Sequence, residues 1–174
     1  SAAPVNVGTG DLGLVIERAR GAVAVVNTSS PRVLGEVIGL GDLSHASVVF
    51  SRDGLYGYVF GRDGGLTRVN LLTRAIEQRV MQAGNSIGGA ISADGTLVAA
   101  QNYTPGGVKV FDAGTLELLA DIPAVIDAGG PGARLSRVVG LVDLPGRRFA
   151  FSLFDGNAIW IADCSNARRP VIAR

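Results

Sequence analysis

The sequence predicts an all-β chain folded as a β-propeller, with about four blades present. Three observations carry that expectation: a strand pattern that recurs at blade spacing, hairpin-turn chemistry at matching places in successive repeats, and a glycine-rich composition of short apolar runs. The recurring strand is apolar, alternating and closed by Asn or Asp. It appears as Val23-Ala24-Val25-Val26-Asn27, Leu66-Thr67-Arg68-Val69-Asn70, Val108-Lys109-Val110-Phe111-Asp112 and Ala158-Ile159-Trp160-Ile161-Ala162-Asp163. The closing residues 27, 70, 112 and 163 lie 43, 42 and 51 apart, and periods of about 40 to 45 residues belong to propeller blades.

The two middle repeats show every strand in order. Inner strands are expected over 46–50 and 88–91, followed by the turns Ser51-Arg52-Asp53-Gly54 and Ser92-Ala93-Asp94-Gly95, where Asp-Gly suits the positive φ of a tight hairpin. Second strands follow over 56–60 and 97–101, then Gly-rich turns at Gly64-Gly65 and Gly106-Gly107, then the recurring third strand. An outer strand over 75–80 and 117–122 completes each blade. It is the more charged strand, as an exposed rim should be. The blades thus fall at about 8–40, 44–81, 85–123 and 136–174. Closed propellers need about four to eight blades and join the first to the last, whereas residues 168–174 stop partway through an outer strand. A larger ring, of which this chain is the N-terminal half, is therefore expected; a complete four-bladed ring is the alternative.

Composition narrows the partners. A chain of 174 residues buries about 70 % of its unfolded surface, so one domain with a real core is expected. The 16 basic and 15 acidic residues are scattered along the chain, which argues against nucleic acid. Cys164 is the single cysteine, leaving no internal disulfide and no Cys-based zinc cluster; it is expected to be a small buried thiol. Apolar runs fall short of the roughly 20 residues that span a bilayer. Ser1-Ala2-Ala3-Pro4 lacks the basic and apolar parts of a leader, but its small residues suit the region after a cleavage site. A membrane is expected only through a removed or lipidated N-terminus. No nucleophile elbow, P-loop or His-rich metal spacing occurs, so difficult chemistry would need a cofactor, with the protein supplying position and field.

In an antiparallel hairpin the start of the first strand and the end of the second share one edge. Residues just before successive inner strands should therefore meet around the channel mouth. His45, Ser86 and Arg137 hold that register, 41 and 51 apart. Arg62 with Asp63, Asn102 with Tyr103, and Phe154 with Asp155 leave the second strands on the same edge. His45, the only histidine, suits an axial iron ligand or a proton donor near neutral pH, although a lone histidine is more often structural. Arg62 and Arg137 present planar forks that suit carboxylates; salt bridges with Asp63 or Asp143 are the alternative. Tyr103, following Asn102 beside a Gly-rich turn, suits packing over a flat ligand, with blade packing as the other reading. Trp160 reads as core. The fourth repeat is lengthened by residues 124–135, containing Asp127, ahead of its inner strand. Such loops are usually functional lids or disordered, so a flexible flap over the same face is expected, against a bland surface loop.

Longer runs carry a resemblance. Gly41-Asp42-Leu43-Ser44-His45-Ala46-Ser47-Val48-Val49-Phe50-Ser51-Arg52-Asp53-Gly54, Tyr58-Val59-Phe60-Gly61-Arg62-Asp63-Gly64-Gly65, Gly84-Asn85-Ser86-Ile87-Gly88-Gly89 and Ser136-Arg137-Val138-Val139-Gly140-Leu141-Val142 together resemble the NirF family. The likeness runs from about Gly8 to the end of this chain and covers the first half of such a protein. NirF proteins are similar to the haem d1 domain of cytochrome cd1 nitrite reductase, which implies an eight-bladed propeller holding a d1-type haem at its channel mouth. The resemblance also implies a periplasmic role in haem d1 biosynthesis during denitrification. It maps an iron-ligating histidine onto His45, a ligand-contacting arginine onto Arg62, a tyrosine onto Tyr103 and a further arginine onto Arg137. At Asn85-Ser86 the nitrite reductase segment carries an arginine that this chain lacks, so carboxylate contacts there should differ. No Cys-x-x-Cys-His occurs, which argues against a covalent c-type haem and nitrite reduction.

The expected ligand is a late haem d1 precursor, dihydro-haem d1, contacted by His45, Arg62, Asn85, Ser86, Asn102, Tyr103 and Arg137. Two roles from different classes follow from the resemblance: a binding protein that delivers the precursor, or an enzyme that modifies its side chains by dehydrogenation, with His45 or Asp127 moving a proton. A propeller scaffold for proteins alone is the third. Expected partners are other haem d1 maturation proteins and cytochrome cd1 nitrite reductase, with a homodimer as one further assembly.

Overall fold

The computed structural model describes residues 10–174. The expected opening of the first blade at residues 8 and 9, and the segment at residues 1–4, lie outside the described residues. A single 3-10 turn, Arg18–Arg20, is the one helical element among them. The rest is antiparallel sheet. The first sheet is β1 (Leu12–Glu17), β2 (Ala22–Asn27) and β3 (Arg32–Val37), in that order. The second is β4 (Ser47–Phe50), β5 (Tyr56–Phe60), β6 (Gly65–Asn70) and β7 (Ala75–Met81). The third is β8 (Asn85–Ile91), β9 (Leu97–Thr104), β10 (Val108–Asp112) and β11 (Leu118–Ile122). After a small hairpin of β12 (Val125–Ile126) and β13 (Arg134–Leu135), the fourth sheet is β14 (Val138–Leu144), β15 (Arg148–Leu153), β16 (Ala158–Asp163) and β17 (Val171–Ala173). Each sheet is a meander, as in a propeller blade.

The core lies between the sheets. Alternate side chains of one strand point to opposite faces, and in the second and third sheets both faces are covered by a neighbouring blade. In β5, Val59 packs toward the first sheet, with Val23, Val25 and Leu40. Its neighbours Tyr58 and Phe60 pack toward the third, with Val98, Ala100 and Phe111. In β9 the same division recurs: Val98 and Ala100 face the second sheet, while Leu97 and Ala99 face Phe149, Phe151 and Trp160 of the fourth. Strands buried on two sides read as continuous apolar runs, which is why the inner repeats carry little polar alternation. Tyr58 ties two blades directly, its phenol donating to Ala113 O at 2.7 Å. Trp160 is buried edge-on to Phe151, ring centroids 6.2 Å apart. Cys164 is a buried free thiol whose pKa desolvation pushes up to about 11.

Two repeated devices explain the recurring polar residues. The Asn or Asp that closes each third strand accepts backbone N–H groups from the turn that follows, an Asx turn. Asn27 takes Ser29 and Ser30, Asn70 takes Leu72 and Thr73, Asp112 takes Gly114 and Thr115, and Asp163 takes Ser165, all at 2.8–3.1 Å. The Ser-x-Asp-Gly turns are likewise superimposable in chemistry. Ser51 and Ser92 hydroxyls donate to Asp53 and Asp94, whose carboxylates also accept the Leu55 and Thr96 N–H groups at 3.0 Å. Only the glycine has positive φ, +72° at Gly54 and +75° at Gly95. The positive φ expected of the Asp-Gly pair is thus supplied by its glycine, while the aspartate contributes hydrogen bonds and not a left-handed backbone.

Residues 124–135 differ from the expected flexible flap. They form the β12–β13 hairpin, closed by Gly130 N on Asp127 O (3.1 Å), Ser136 N on Ala124 O (2.8 Å) and an Arg134–Asp127 ion pair (2.9 Å). Ile126 packs so closely over Gly156 that an added Cβ there would lie 2.6 Å from it. Apolar anchoring and backbone pairing convert the insertion into ordered structure. Among the described residues no helix is long and apolar enough to cross a membrane.

Candidate functional site

The innermost strands β4, β8 and β14 lie side by side. At one end of them a cavity of about 230 Å³ is lined by His45, Arg62, Asn85, Ile87 and Tyr103. Three successive segments build it. His45 lies two residues ahead of β4, Arg62 follows β5, and Asn85 and Ile87 belong to β8, where register shifts at Asn85/Ser86 and Ser86/Gly88 loosen the pairing with β9. Tyr103 comes from the far end of β9. The sequence reading placed four of these five residues at one rim; Ile87 was missed, since nothing distinguishes one more apolar residue in a strand.

Three of the lining groups have bonding capacity to spare. His45 is exposed, with no hydrogen bond or ion pair among the described residues. Arg62 is also exposed and forms no ion pair there; its backbone N–H bonds Asp42 O at 2.8 Å, and its charge adds slightly to the lowering of the Asp42 pKa, which Ser44 dominates. The salt bridge that was the alternative for Arg62 is absent because Asp63 is occupied elsewhere. Its carboxylate accepts Gly65 N at 3.0 Å, Asp42 N at 3.2 Å and Arg79 Nη2 at 3.3 Å. Asn85 Oδ1 is a buried acceptor with no partner, and an unsatisfied buried polar atom calls for an explanation such as a ligand.

Four residues expected at the site are placed otherwise. Because β8 begins at Asn85 and not at Gly88, Ser86 is within the strand and points inward: it is fully buried, with its hydroxyl donating to Gln101 O at 3.0 Å. Because β9 extends to Thr104, Asn102 and Tyr103 alternate faces. Asn102 is fully buried in a reciprocal amide pair with Gln82, both bonds 2.8 Å, which uses its donor and acceptor within the protein. Asp127 lies on the hairpin, paired with Arg134, and lines a different cavity beside Asp155 and Trp160. Arg137 reaches the rim but is engaged. Its Nη2 and Nε bond Asp155 at 2.6 and 3.0 Å, Nη1 donates to Tyr103 Oη at 2.6 Å, and its guanidinium lies over the rings of Phe154 and Tyr103, 4.4 and 4.9 Å from their centroids. The Asp155 carboxyl is held at about 2 by those bonds and by the Arg137 backbone N–H. The salt-bridge alternative for Arg137 is realised, with Asp155 as partner and not Asp143.

A cavity of about 230 Å³ is below the roughly 300–1,000 Å³ that encloses a drug-sized ligand, so it suits one edge of a larger molecule. Among the described residues no cluster of three or more His, Cys, Asp or Glu converges as for a metal ion. A metal at His45 would have to bring most of its ligands with it.

Comparison with known proteins agrees with the β-propeller fold. The sequence profile of the cytochrome D1 heme domain family matches residues 7–174. Protein NirF of Stutzerimonas stutzeri and Protein NirF of Pseudomonas aeruginosa strain PAO1 are each 61 % identical over 167 residues, 96 % of this chain. This chain spans 42 % of the length of either. The dihydro-heme d1 dehydrogenase of Pseudomonas aeruginosa is 33 % identical over 124 residues, 71 % of this chain and 24 % of that protein. Among solved structures, dihydro-heme d1 dehydrogenase NirN in complex with DHE superimposes with a TM-score of 0.84 at 27 % identity, covering 97 % of this chain and 36 % of that one. The β-propeller domain of Myceliophteria thermophila Cps50 (Swd1) matches with a TM-score of 0.66 at 16 % identity, over 89 % of this chain and 49 % of that one; it shares the fold alone.

Proposed function

This chain belongs to the cytochrome D1 heme domain family, and from that premise we propose that it forms one part of the wall of a site for a d1-type tetrapyrrole, a dihydro-haem d1 precursor, in a periplasmic haem d1 biosynthesis protein. The observation that carries the reading is the rim cavity, where an unpaired histidine, an unpaired arginine and an orphaned amide oxygen converge from separate segments. A tetrapyrrole fits that donor set. Such a group would bring its own ring nitrogens to any iron it carries, so His45 would be enough as the protein's ligand to it. Arg62 suits a peripheral carboxylate. The Asn85 amide would turn toward a polar group on the ligand edge, and Ile87 and the Tyr103 ring would give apolar contact. A conjugated macrocycle supplies the redox and spectral properties, while these side chains orient it and hold its charge. Haem d1 maturation proteins and the nitrite reductase are the partners this role implies.

Titration of the full-length protein with extracted haem d1, followed by absorption spectroscopy, tests the reading. A shifted spectrum on binding is expected, and His45→Ala should change its shape and weaken binding about tenfold or more. No shift with the unmodified protein, or a His45→Ala variant indistinguishable from it, would overturn the proposal. Carriage of the precursor is the leading role. The likeness to a dihydro-heme d1 dehydrogenase favours a second reading, oxidation of the bound precursor's side chain, in which His45 would move a proton instead of ligating iron; Asp127 is in a separate cavity. Product formation only when an electron acceptor is present would select the second reading, and binding without product the first.

A further inference from the structure

Arg137 was expected to receive a ligand carboxylate, but three of its five N–H donors are engaged inside the protein and its side chain does not line the rim cavity. Asp155 takes Nη2 at 2.6 Å, Nε at 3.0 Å and the backbone N–H at 2.9 Å, while its own backbone N–H donates to Ser136 Oγ at 3.1 Å. Phe154 covers one side of the guanidinium. The third terminus, Nη1, donates to Tyr103 Oη at 2.6 Å. A phenol has one hydrogen, and a guanidinium has no acceptor to take it. With Arg137 donating to its oxygen, the Tyr103 hydrogen turns away from Arg137, and among the described residues nothing accepts it. Tyr103 lines the same cavity as His45, Arg62 and Asn85.

We propose that Asp155 and Arg137 are positioning residues that hold Tyr103 as a hydrogen-bond donor of fixed direction, aimed at an acceptor oxygen (carboxylate or oxo) on the edge of the ligand. The inference rests on the tetrapyrrole reading above. Arg137 then acts through Tyr103 and does not meet the ligand. The arrangement favours an acceptor oxygen at that place over an N–H, which has no lone pair to take the phenol hydrogen.

The test is a mutant cycle on the full-length protein, titrated with extracted haem d1. Tyr103→Phe, Asp155→Asn and Arg137→Gln should each weaken binding by about fivefold to tenfold, the effect of one hydrogen bond. In the Tyr103→Phe background the other two substitutions should add less than about twofold, since residues acting through one group are not additive. Additive losses in that background would overturn the proposal and return Arg137 to direct ligand contact. A second readout needs no ligand. With tyrosine labelled at its ring carbon bearing the hydroxyl, the Tyr103 resonance should move in Asp155→Asn and stay in place in the distant Asp143→Asn. An unmoved resonance in Asp155→Asn overturns the positioning role even if the variant binds poorly. Failure of the unmodified protein to bind haem d1 would overturn the tetrapyrrole reading and the ligand half of this proposal, while the resonance would still decide whether Asp155 sets the phenol.

Discussion

Arg62 and Arg137 are the same side chain at the same rim, and what separates them is which carboxylates lie within reach. Asp63 adjoins Arg62 in sequence, but the outer-strand residue Arg79 folds back over β6, bonding Leu40 O and Thr67 Oγ1 at 2.8 and 2.9 Å and Asp63 at 3.3 Å. Arg62 is left with its donors open. Arg137 meets Asp155 eighteen residues on, because β14 and β15 pair antiparallel and bring the two ends together. Neither outcome was readable from spacing alone, since both depend on which long side chain crosses a strand. The Asp155 carboxyl sits at about 2, below its ordinary value, so the stabilisation it provides is complete above the usual carboxylate range and is lost as pH falls toward 2. A carboxyl-carbon NMR titration should therefore find the Asp155 midpoint below about 3, and a midpoint near the unperturbed value of about 3.9 would contradict the bidentate pair.

The elements were the most legible scale. The third strands, closed at 27, 70, 112 and 163, end within β2, β6, β10 and β16 at those residues, because the closing Asn or Asp builds the next turn with its own side chain. Asp112 carries three such bonds, to Gly114 N, Thr115 N and Thr115 Oγ1. Asp112→Ala should lower unfolding free energy by about 1–2 kcal/mol in denaturant titration, whereas Thr115→Ala, which keeps both backbone bonds and removes the hydroxyl's bonds to Asp112 and from Glu117 N (3.2 Å), should cost less. Strand ends were harder. The spans of β8 and β9 exceed expectation because Gly88 and the two register shifts let pairing continue past glycines that read as a boundary. That extension, not residue type, turned Ser86 and Asn102 inward. Residues 124–135 read as a flap because Gly129-Gly130 and Pro131-Gly132 are loop signals; the anchoring contact of Ile126 on Gly156 spans about thirty residues of chain and leaves no local mark.

At the scale of the molecule, the radial order of sheets is held by packing between blades and by a few long-range polar ties at the far end of the inner strands. Arg52 is the chief of these: its Nε donates to Ser92 O at 3.1 Å, and Nη2 donates to Ile91 O at 2.9 Å and to Asp143 at 3.1 Å, spanning the inner strands of three sheets. The ion pair is close to half exposed on both sides, 47 % and 40 %, and such pairs contribute about 0–1 kcal/mol; the bonds to part-buried carbonyls contribute more. Arg52→Ala should thus destabilise by about 1–2 kcal/mol and Asp143→Asn by less than about 0.5 kcal/mol, measured by equilibrium unfolding. Equal losses would show that the charge, not the carbonyl bonds, joins the sheets. The sequence alone determined that the chain is a propeller, how its strands are spaced, and that His45, Arg62 and Tyr103 lie at one rim, because period and turn chemistry are local properties repeated along the chain. Tertiary structure alone decided which of the rim's polar groups remain free. That selection depends on partners brought from other strands and other blades, and a side chain's spare hydrogen bonds are defined only once every neighbour is in place.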